Sequence, residues 1–130
     1  MRKLEIACNS EASDPFIYFN DDHFLLTQFQ ADTFPNFYYS TLENYFKLRG
    51  PDVYGRRAES TLKHLQSLNL PTKFFDTHTP IIIHKEPFIK NVVSAPWGRT
   101  SFLVKSLYAN SLSLEGTQEK DFKVTQPPQN

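Results

Sequence analysis

The fold is predicted by one stretch of sequence, Ile17-Tyr18-Phe19-Asn20-Asp21-Asp22-His23-Phe24. Residues 16 to 19 form a continuous apolar run of β-forming residues, which is typical of a strand buried on both faces. Asn20 and the two aspartates end this strand, because Asn and Asp favour turns. In open α/β sheets, ligands bind at the carboxyl ends of strands. The stretch therefore predicts a short buried strand that delivers a carboxylate pair to the edge of an active site.

The carboxylate pair predicts a site for a hard divalent cation. Mg²⁺ and Mn²⁺ prefer oxygen ligands and usually keep substrate phosphates among their ligands. We therefore expect Asp21 and Asp22 to bind Mn²⁺ or Mg²⁺ together with a diphosphate. The alternative is a solvated turn, which Asn and Asp also form readily, and the pattern leaves both interpretations open.

A second polar segment, Asp76-Thr77-His78-Thr79-Pro80, follows in the later part of the chain. If this segment is extended, Asp76 and His78 lie on the same side of it, because side chains alternate along a strand. The two side chains would then complete the ligands of the metal ion or supply a general base that works near neutral pH. The alternative is a polar loop in which the aspartate caps a turn.

The composition limits the class of protein. A chain of 130 residues fits one domain, and its 15% aromatic content is sufficient for a core. The formal net charge of zero argues against a protein that coats nucleic acid. The single cysteine, Cys8, excludes an internal disulfide and predicts a small buried hydrophobe in a cytoplasmic protein. The longest aliphatic run, residues 81–83, is too short to span a membrane.

Periodicity and capping signals predict a mixed α/β domain over residues 1–115, with a few short strands and about four helices, and a polar, flexible tail over residues 116–130. We expect the chain to begin in a helix over residues 2–9. Ser40 and Glu43 match a capping box at the start of a second helix. The clearest helix carries its apolar residues at helical spacing: Ala58, Leu62, Leu65 and Leu68.

Basic and aromatic side chains outside these motifs are candidates for binding phosphate groups, a base or a sugar. A basic set can hold phosphates, although a solvated helix face is the alternative; it consists of Arg49, Arg56, Arg57, Lys63 and His64. Lys85 and Arg99 are two further candidates for a phosphate contact. Trp97 either stacks on a base or sugar or packs into the core.

In their order along the chain, these motifs resemble the Stealth-type sugar-phosphate transferases and related small phage and bacterial glycosyltransferase-like proteins. Residues 16–24 are similar to the Asp-Asp motif of that group. Residues 75–80 are similar to its His-x-Pro segment, and Lys85 and Phe88 follow as in its Lys-x-x-Phe helix start. Residues 106–110 resemble its closing motif. The resemblance covers about residues 1 to 110 and includes a counterpart of the aromatic loop at residues 34–39.

This resemblance implies a GT-A-type fold and a metal-dependent glycosyl- or sugar-phosphate transferase. Mn²⁺ or Mg²⁺ would be held by Asp21 or Asp22 against the diphosphate of a nucleotide-sugar donor, with an unassigned acceptor. His78 would lie near the reacting centre, and either His78 or Asp76 would act as the base on the acceptor hydroxyl. Lys85 or Arg99 would offset the charge of the donor phosphates.

Enzymes of this type carry a βαβ half that binds the nucleotide before the Asp-Asp strand, whereas only about fifteen residues precede the strand here. We therefore expect a partial GT-A-like domain that corresponds to the C-terminal half. One alternative is a non-catalytic binding protein derived from such a transferase. It would form homo-oligomers, or bind a host or partner protein through the aromatic loop around residues 37–39. The missing N-terminal half is a further candidate partner. A nucleic-acid binder that uses residues 56–64 is a weaker alternative because the net charge is zero.

Overall fold

The computed structural model describes residues 1–19, 30 and 33–120. Within these residues, helices and short strands are mixed, which is compatible with the expected α/β class, and there is one α-helix more than the four expected. The helices are α1 (Arg2–Cys8), α2 (Leu42–Arg49), α3 (Val53–Ser67), α4 (Lys85–Phe88), a π-helical turn that continues α4 (Ile89–Val93), and α5 (Val104–Ser111). The strands are β1 (Phe16–Tyr18), β2 (Phe37–Tyr38), β3 (Ile81–Ile83) and β4 (Thr117–Gln118).

The strands form two small sheets. β1 pairs with β3 in antiparallel orientation, so that Phe16 lies opposite Ile83 and Tyr18 lies opposite Ile81. The prediction of a strand at the start of the opening motif is confirmed. The prediction that it is buried on both faces is wrong, because all three residues of β1 are half-buried; in the part of the chain that the structure describes, β3 is its one partner strand. The antiparallel pairing places the end of β1 beside the start of β3.

The second sheet involves the beginning of the segment that was predicted to be a tail. β4 pairs with β2 in parallel orientation. The amide of Thr117 donates to the carbonyl of Asn36 (2.9 Å), and the amide of Glu119 donates to the carbonyl of Tyr38 (3.0 Å). The backbone of this stretch is therefore bound to β2, and residues 121–130 lie outside the described residues.

The start of α2 differs by one residue from the predicted capping box. Thr41 is the N-cap, and its hydroxyl accepts a hydrogen bond from the amide of Asn44 (3.2 Å). The hydroxyl of Ser40 instead accepts from the side-chain amide of Asn44. The carboxylate of Glu43 accepts a hydrogen bond from the Thr72 hydroxyl (3.0 Å). The prediction of Ser40 as the cap is wrong by one position, because Thr41 is extended, pairs with Lys73 in an antiparallel bridge, and supplies the capping hydroxyl.

The buried face of α3 is only partly the predicted one. Ala58 and Leu65 are fully buried, as expected, but Leu68 is 52% exposed because the helix ends at Ser67. Thr61 is fully buried instead. Its hydroxyl donates to the Arg57 carbonyl (2.7 Å) and accepts from the amide of Leu103 (2.9 Å). This polar residue therefore ties α3 to the residue that precedes α5.

The core surrounds α5, whose residues 105–110 are all buried. The ring of Tyr108 packs against Phe88 of α4, with 5.8 Å between the ring centroids. Trp97 packs against Phe102, and its indole nitrogen donates to the Val92 carbonyl (2.7 Å). Cys8 is buried, as predicted, and burial raises the pKa of its thiol. None of the helices described is both long enough and apolar enough to cross a membrane.

Candidate functional site

The pairing of β1 with β3 places the end of β1, which belongs to the first predicted motif, beside the start of β3, which follows the second. Tyr18 of β1 lies opposite Ile81 of β3. The chain reaches the carboxylate pair two residues after Phe19, and β3 directly follows the segment that contains His78. Asp21 and Asp22 themselves lie outside the described residues, so their role as metal ligands stays a prediction.

The segment that leads to His78 is bound on one side by residues 39–42. The amide of Phe74 donates to the carbonyl of Ser40 (2.8 Å), and the carbonyl of Phe74 accepts from the amide of Tyr39 (3.1 Å). Thr41 and Lys73 form an isolated antiparallel bridge. Phe74 and Phe75 bury their rings in the core.

Side chains of α5 bind the other side of the same segment. Asn110 is 1% exposed, and its Oδ1 accepts from the amide of Lys73 (3.0 Å). Its Nδ2 donates to the carbonyl of Lys73 (2.7 Å). The Ser106 hydroxyl accepts from the amide of Phe75 (2.9 Å). Because Ser106 and Asn110 are one helical turn apart, they face the segment together.

Asp76 binds the first turn of α5. Its Oδ2 accepts from the amide of Ser106 (2.8 Å), and its Oδ1 accepts from the amide of Lys105 (3.3 Å). Amides in the first turn of a helix have no partner within the helix, and the N-cap residue Leu103 supplies no side-chain bond. Asp76 is therefore the cap of α5. The sequence left open that this aspartate caps a turn, and in the structure it caps a helix instead. Its roles as base or metal ligand stay predictions.

The ammonium group of Lys105 holds the backbone on both sides of His78. Lys105 is 5% exposed, and its Nζ donates to the carbonyls of Thr77 (2.6 Å) and Thr79 (2.9 Å). The hydroxyls of these two threonines lie 2.7 Å apart. Residues 77 to 79 form bends, so the extended geometry that would place Asp76 and His78 on one side is not present. His78 is half-buried between the two buried threonines.

The two predicted phosphate contacts lie in different surroundings. The Nζ of Lys85 donates to the carbonyls of Ser10 (2.8 Å) and Ala12, and the amide of Lys85 donates to Asp14 Oδ1 (3.1 Å). Lys85 thus binds the loop that precedes β1, and a phosphate would compete with these bonds. Arg99 is exposed in the turn before α5.

Three members of the basic set, Arg49, Arg56 and Lys63, are exposed as on a solvated helix face, whereas Arg57 and His64 are half-buried. Arg49 forms an ion pair with Asp52 (2.6 Å), and Lys63 forms one with Glu59 (2.9 Å). The guanidinium groups of Arg49 and Arg57 lie 5.2 and 5.5 Å from the centre of the Tyr54 ring. In these contacts the basic side chains interact with neighbouring acidic and aromatic residues. This favours the alternative of a surface helix face over a phosphate-binding site.

An open pocket of about 710 Å³ lies where α2 meets the residues around β4. It is lined by Tyr39, Ser40, Asn44, Lys47, Leu48, Gln118, Glu119 and Lys120. Tyr39 is 41% exposed there, whereas its predicted partners in the aromatic surface, Phe37 and Tyr38, are half-buried in β2. The pocket contains none of the predicted catalytic or phosphate-binding residues.

Within residues 1–19, 30 and 33–120, no group of three or more His, Cys, Asp or Glu side chains is arranged to hold a metal ion. Three residues of α5 that bind this segment, Lys105, Ser106 and Asn110, were not predicted individually from the sequence. The available signal was their polarity within an otherwise apolar helix.

Comparisons with models of protein families, with curated proteins and with solved structures found no match.

Proposed function

We propose that the chain is the catalytic C-terminal half of a GT-A-like, metal-dependent transferase that moves a sugar or sugar phosphate from a nucleotide-sugar donor. The pairing of Tyr18 with Ile81 is the observation that supports this proposal most directly. Tyr18 is the last residue of β1, three positions before Asp21, and Ile81 is the first residue of β3, three positions after His78. A carboxylate pair and a histidine at one sheet end suit phosphate-transfer or glycosyl-transfer chemistry.

The residues of this site divide into different roles. Carboxylate oxygens are the ligands that Mn²⁺ and Mg²⁺ prefer, so Asp21 and Asp22 would hold the ion, with His78 as a further candidate ligand. When bound, the ion supplies Lewis-acid stabilisation of the departing phosphate. The cap formed by Asp76 favours His78 as the base on the acceptor hydroxyl, since both oxygens of Asp76 are used by α5.

The test is donor turnover by the full chain with Mn²⁺ and a panel of nucleotide-sugar donors. His78→Gln should lower turnover at least about 100-fold, because positioned general bases contribute on this scale. The matched control is His84→Gln, since His84 is exposed and makes no side-chain capping bond. Asp22→Ala should weaken Mn²⁺ binding, measured by calorimetry, by at least about tenfold, and Glu119→Ala should leave it unchanged.

Two results together would reject the proposal. One is the absence of turnover for every donor tested. The other is an unchanged Mn²⁺ affinity in Asp22→Ala. Activity that is lost equally in His78→Gln and His84→Gln would reject the specific role of His78 as the base.

A further inference from the structure

We propose that Lys105 is a positioning residue that sets the orientation of the His78 imidazole. This inference rests on the function proposed above, in which His78 acts at the reacting centre. Lys105 is the side chain that donates to the carbonyls on both sides of His78, at 2.6 Å to Thr77 and 2.9 Å to Thr79. Both carbonyls are thereby held by one group, so the backbone that carries the imidazole has little freedom to rotate.

The contact is made from a rigid support. Lys105 lies in the first turn of α5, next to Ser106 and Leu107, which are fully buried. The same turn receives the carboxylate of Asp76, which lies two residues before His78. The segment is therefore attached to α5 in both directions: Asp76 accepts from the helix amides, and Lys105 donates to the segment carbonyls.

The location of the ammonium links its hydrogen bonds to the position of His78. Removing a lysine ammonium from water is costly unless its hydrogen bonds are replaced. At this position, which is 5% exposed, the carbonyls of Thr77 and Thr79 replace those bonds, so the ammonium and the backbone beside His78 depend on each other. A buried lysine that grips the backbone on both sides of a predicted catalytic histidine is consistent with a requirement for exact geometry. Misplacement of a reacting group by about 1 Å can lower a rate by about 100-fold.

The experiment compares Lys105→Met with Lys90→Met in the full chain. Lys90 is exposed on the π-helical turn, so the control removes the same ammonium group away from the site. The ring-nitrogen NMR signals of His78 are recorded for both variants and assigned among the four histidines by their loss in His78→Gln. Lys105→Met should shift and broaden these signals, and Lys90→Met should leave them as in the wild type.

Kinetics supply the second readout. Lys105→Met should lower kcat by about 100-fold while KM changes by less than about twofold, because the histidine is present but misplaced. Lys105→Arg keeps donors for both carbonyls and should recover most of the loss. If Lys105→Met does not fold, Lys105→Gln replaces it, since its shorter amide cannot reach both carbonyls.

The outcomes separate this inference from the proposed function. Unchanged His78 signals in a folded Lys105→Met or Lys105→Gln variant would overturn the role of Lys105. An unchanged kcat in an active protein would overturn it as well. If no protein turns over any donor but the His78 signals still respond to Lys105→Met, Lys105 orients His78 and the transferase proposal fails instead.

Discussion

The carboxylate of Asp76 and the backbone amide of Ser106 are joined by a hydrogen bond of 2.8 Å, across thirty residues of chain. The neighbouring amide, that of Lys105, binds the second oxygen of the same carboxylate. A side chain from a distant segment thus performs the capping that Ser, Thr, Asp or Asn usually provides from the residue before the helix. The stability of α5 should therefore depend on Asp76.

Asp76→Ala should lower the free energy of unfolding by about 1–2 kcal/mol, the range found when a helix loses its N-cap. Asp76→Asn retains one acceptor oxygen and should cause a smaller loss. Urea denaturation followed by circular dichroism measures both. Glu11→Ala is the control, because Glu11 is exposed; equal stability of Asp76→Ala and Glu11→Ala would contradict the capping role.

Asn110→Leu should destabilise the protein through the backbone of Lys73. The substitution keeps the volume of the side chain but leaves the amide and carbonyl of Lys73 without their partners at 3.0 and 2.7 Å. A polar group left unsatisfied in the interior costs about 1–3 kcal/mol, so we expect a loss of about 2 kcal/mol in the same urea measurement. Asn44→Leu is the control at an exposed amide, and a similar loss there would refute this account.

Gly55→Ala should open the turn between α2 and α3. A Cβ at Gly55 would lie 1.7 Å from the carbonyl oxygen of Gly50, which is backbone and cannot move aside alone. We expect a loss of about 3 kcal/mol, at the upper end for overpacked sites. Gly98→Ala has open space and a φ of 41°, so it should lose only about 1 kcal/mol. Thermal unfolding measures the loss of stability in both variants. A larger loss in Gly98→Ala than in Gly55→Ala would disprove the steric argument.

Tyr108 should make the protein less stable at alkaline pH. Burial raises the pKa of its hydroxyl from the usual value of 10.0, although the hydrogen bond from the amide of His84 (2.9 Å) lowers it in part. The unfolded chain therefore releases this proton at a lower pH than the folded protein does. The contribution of Tyr108 is complete below about pH 10 and is lost as the pH rises further.

Urea denaturation at a series of pH values from about 9 to about 11 measures this effect. In Tyr108→Phe, stability should decline less steeply over this range, because the titrating group is gone. At neutral pH the same variant should lose about 1 kcal/mol, since the amide of His84 loses its acceptor. Tyr39→Phe, at an exposed tyrosine, should keep the wild-type slope; identical slopes in all three proteins would contradict the prediction.

Elements that depend on local sequence were predicted well. The strand that begins at Phe16 follows from a run of apolar residues and the turn signals after it, and it is present. The helix expected over residues 2–9 is present as Arg2–Cys8. The capping residue of α2 was missed by one position, because Ser40 and Thr41 both carry a hydroxyl and only the folded chain shows that Thr41 pairs with Lys73. Periodicity alone does not contain such a contact, since its partners are distant in the chain.

In the candidate site, too, features that depend on local sequence could be predicted and features that depend on distant contacts could not. His78 could be selected from its residue type and its position before an apolar strand. The capping role of Asp76 was left as one of two alternatives, because its partner amides lie in a helix thirty residues later. Lys105 was not selected, since a lysine in an amphipathic segment is normally exposed. Only the folded arrangement shows that its ammonium replaces the water around two carbonyls.

The binding of residues 73–75 by residues 39–42 on one side and by α5 on the other has a consequence for self-association. An extended segment with two phenylalanines and free backbone groups is a template on which other chains can pair. Ser40 and Tyr39 occupy one edge, and Ser106 and Asn110 occupy the other. The polar side chains of α5 therefore act as a shield against intermolecular strand addition. Variants that release α5 should form aggregates at concentrations where the intact protein stays dispersed.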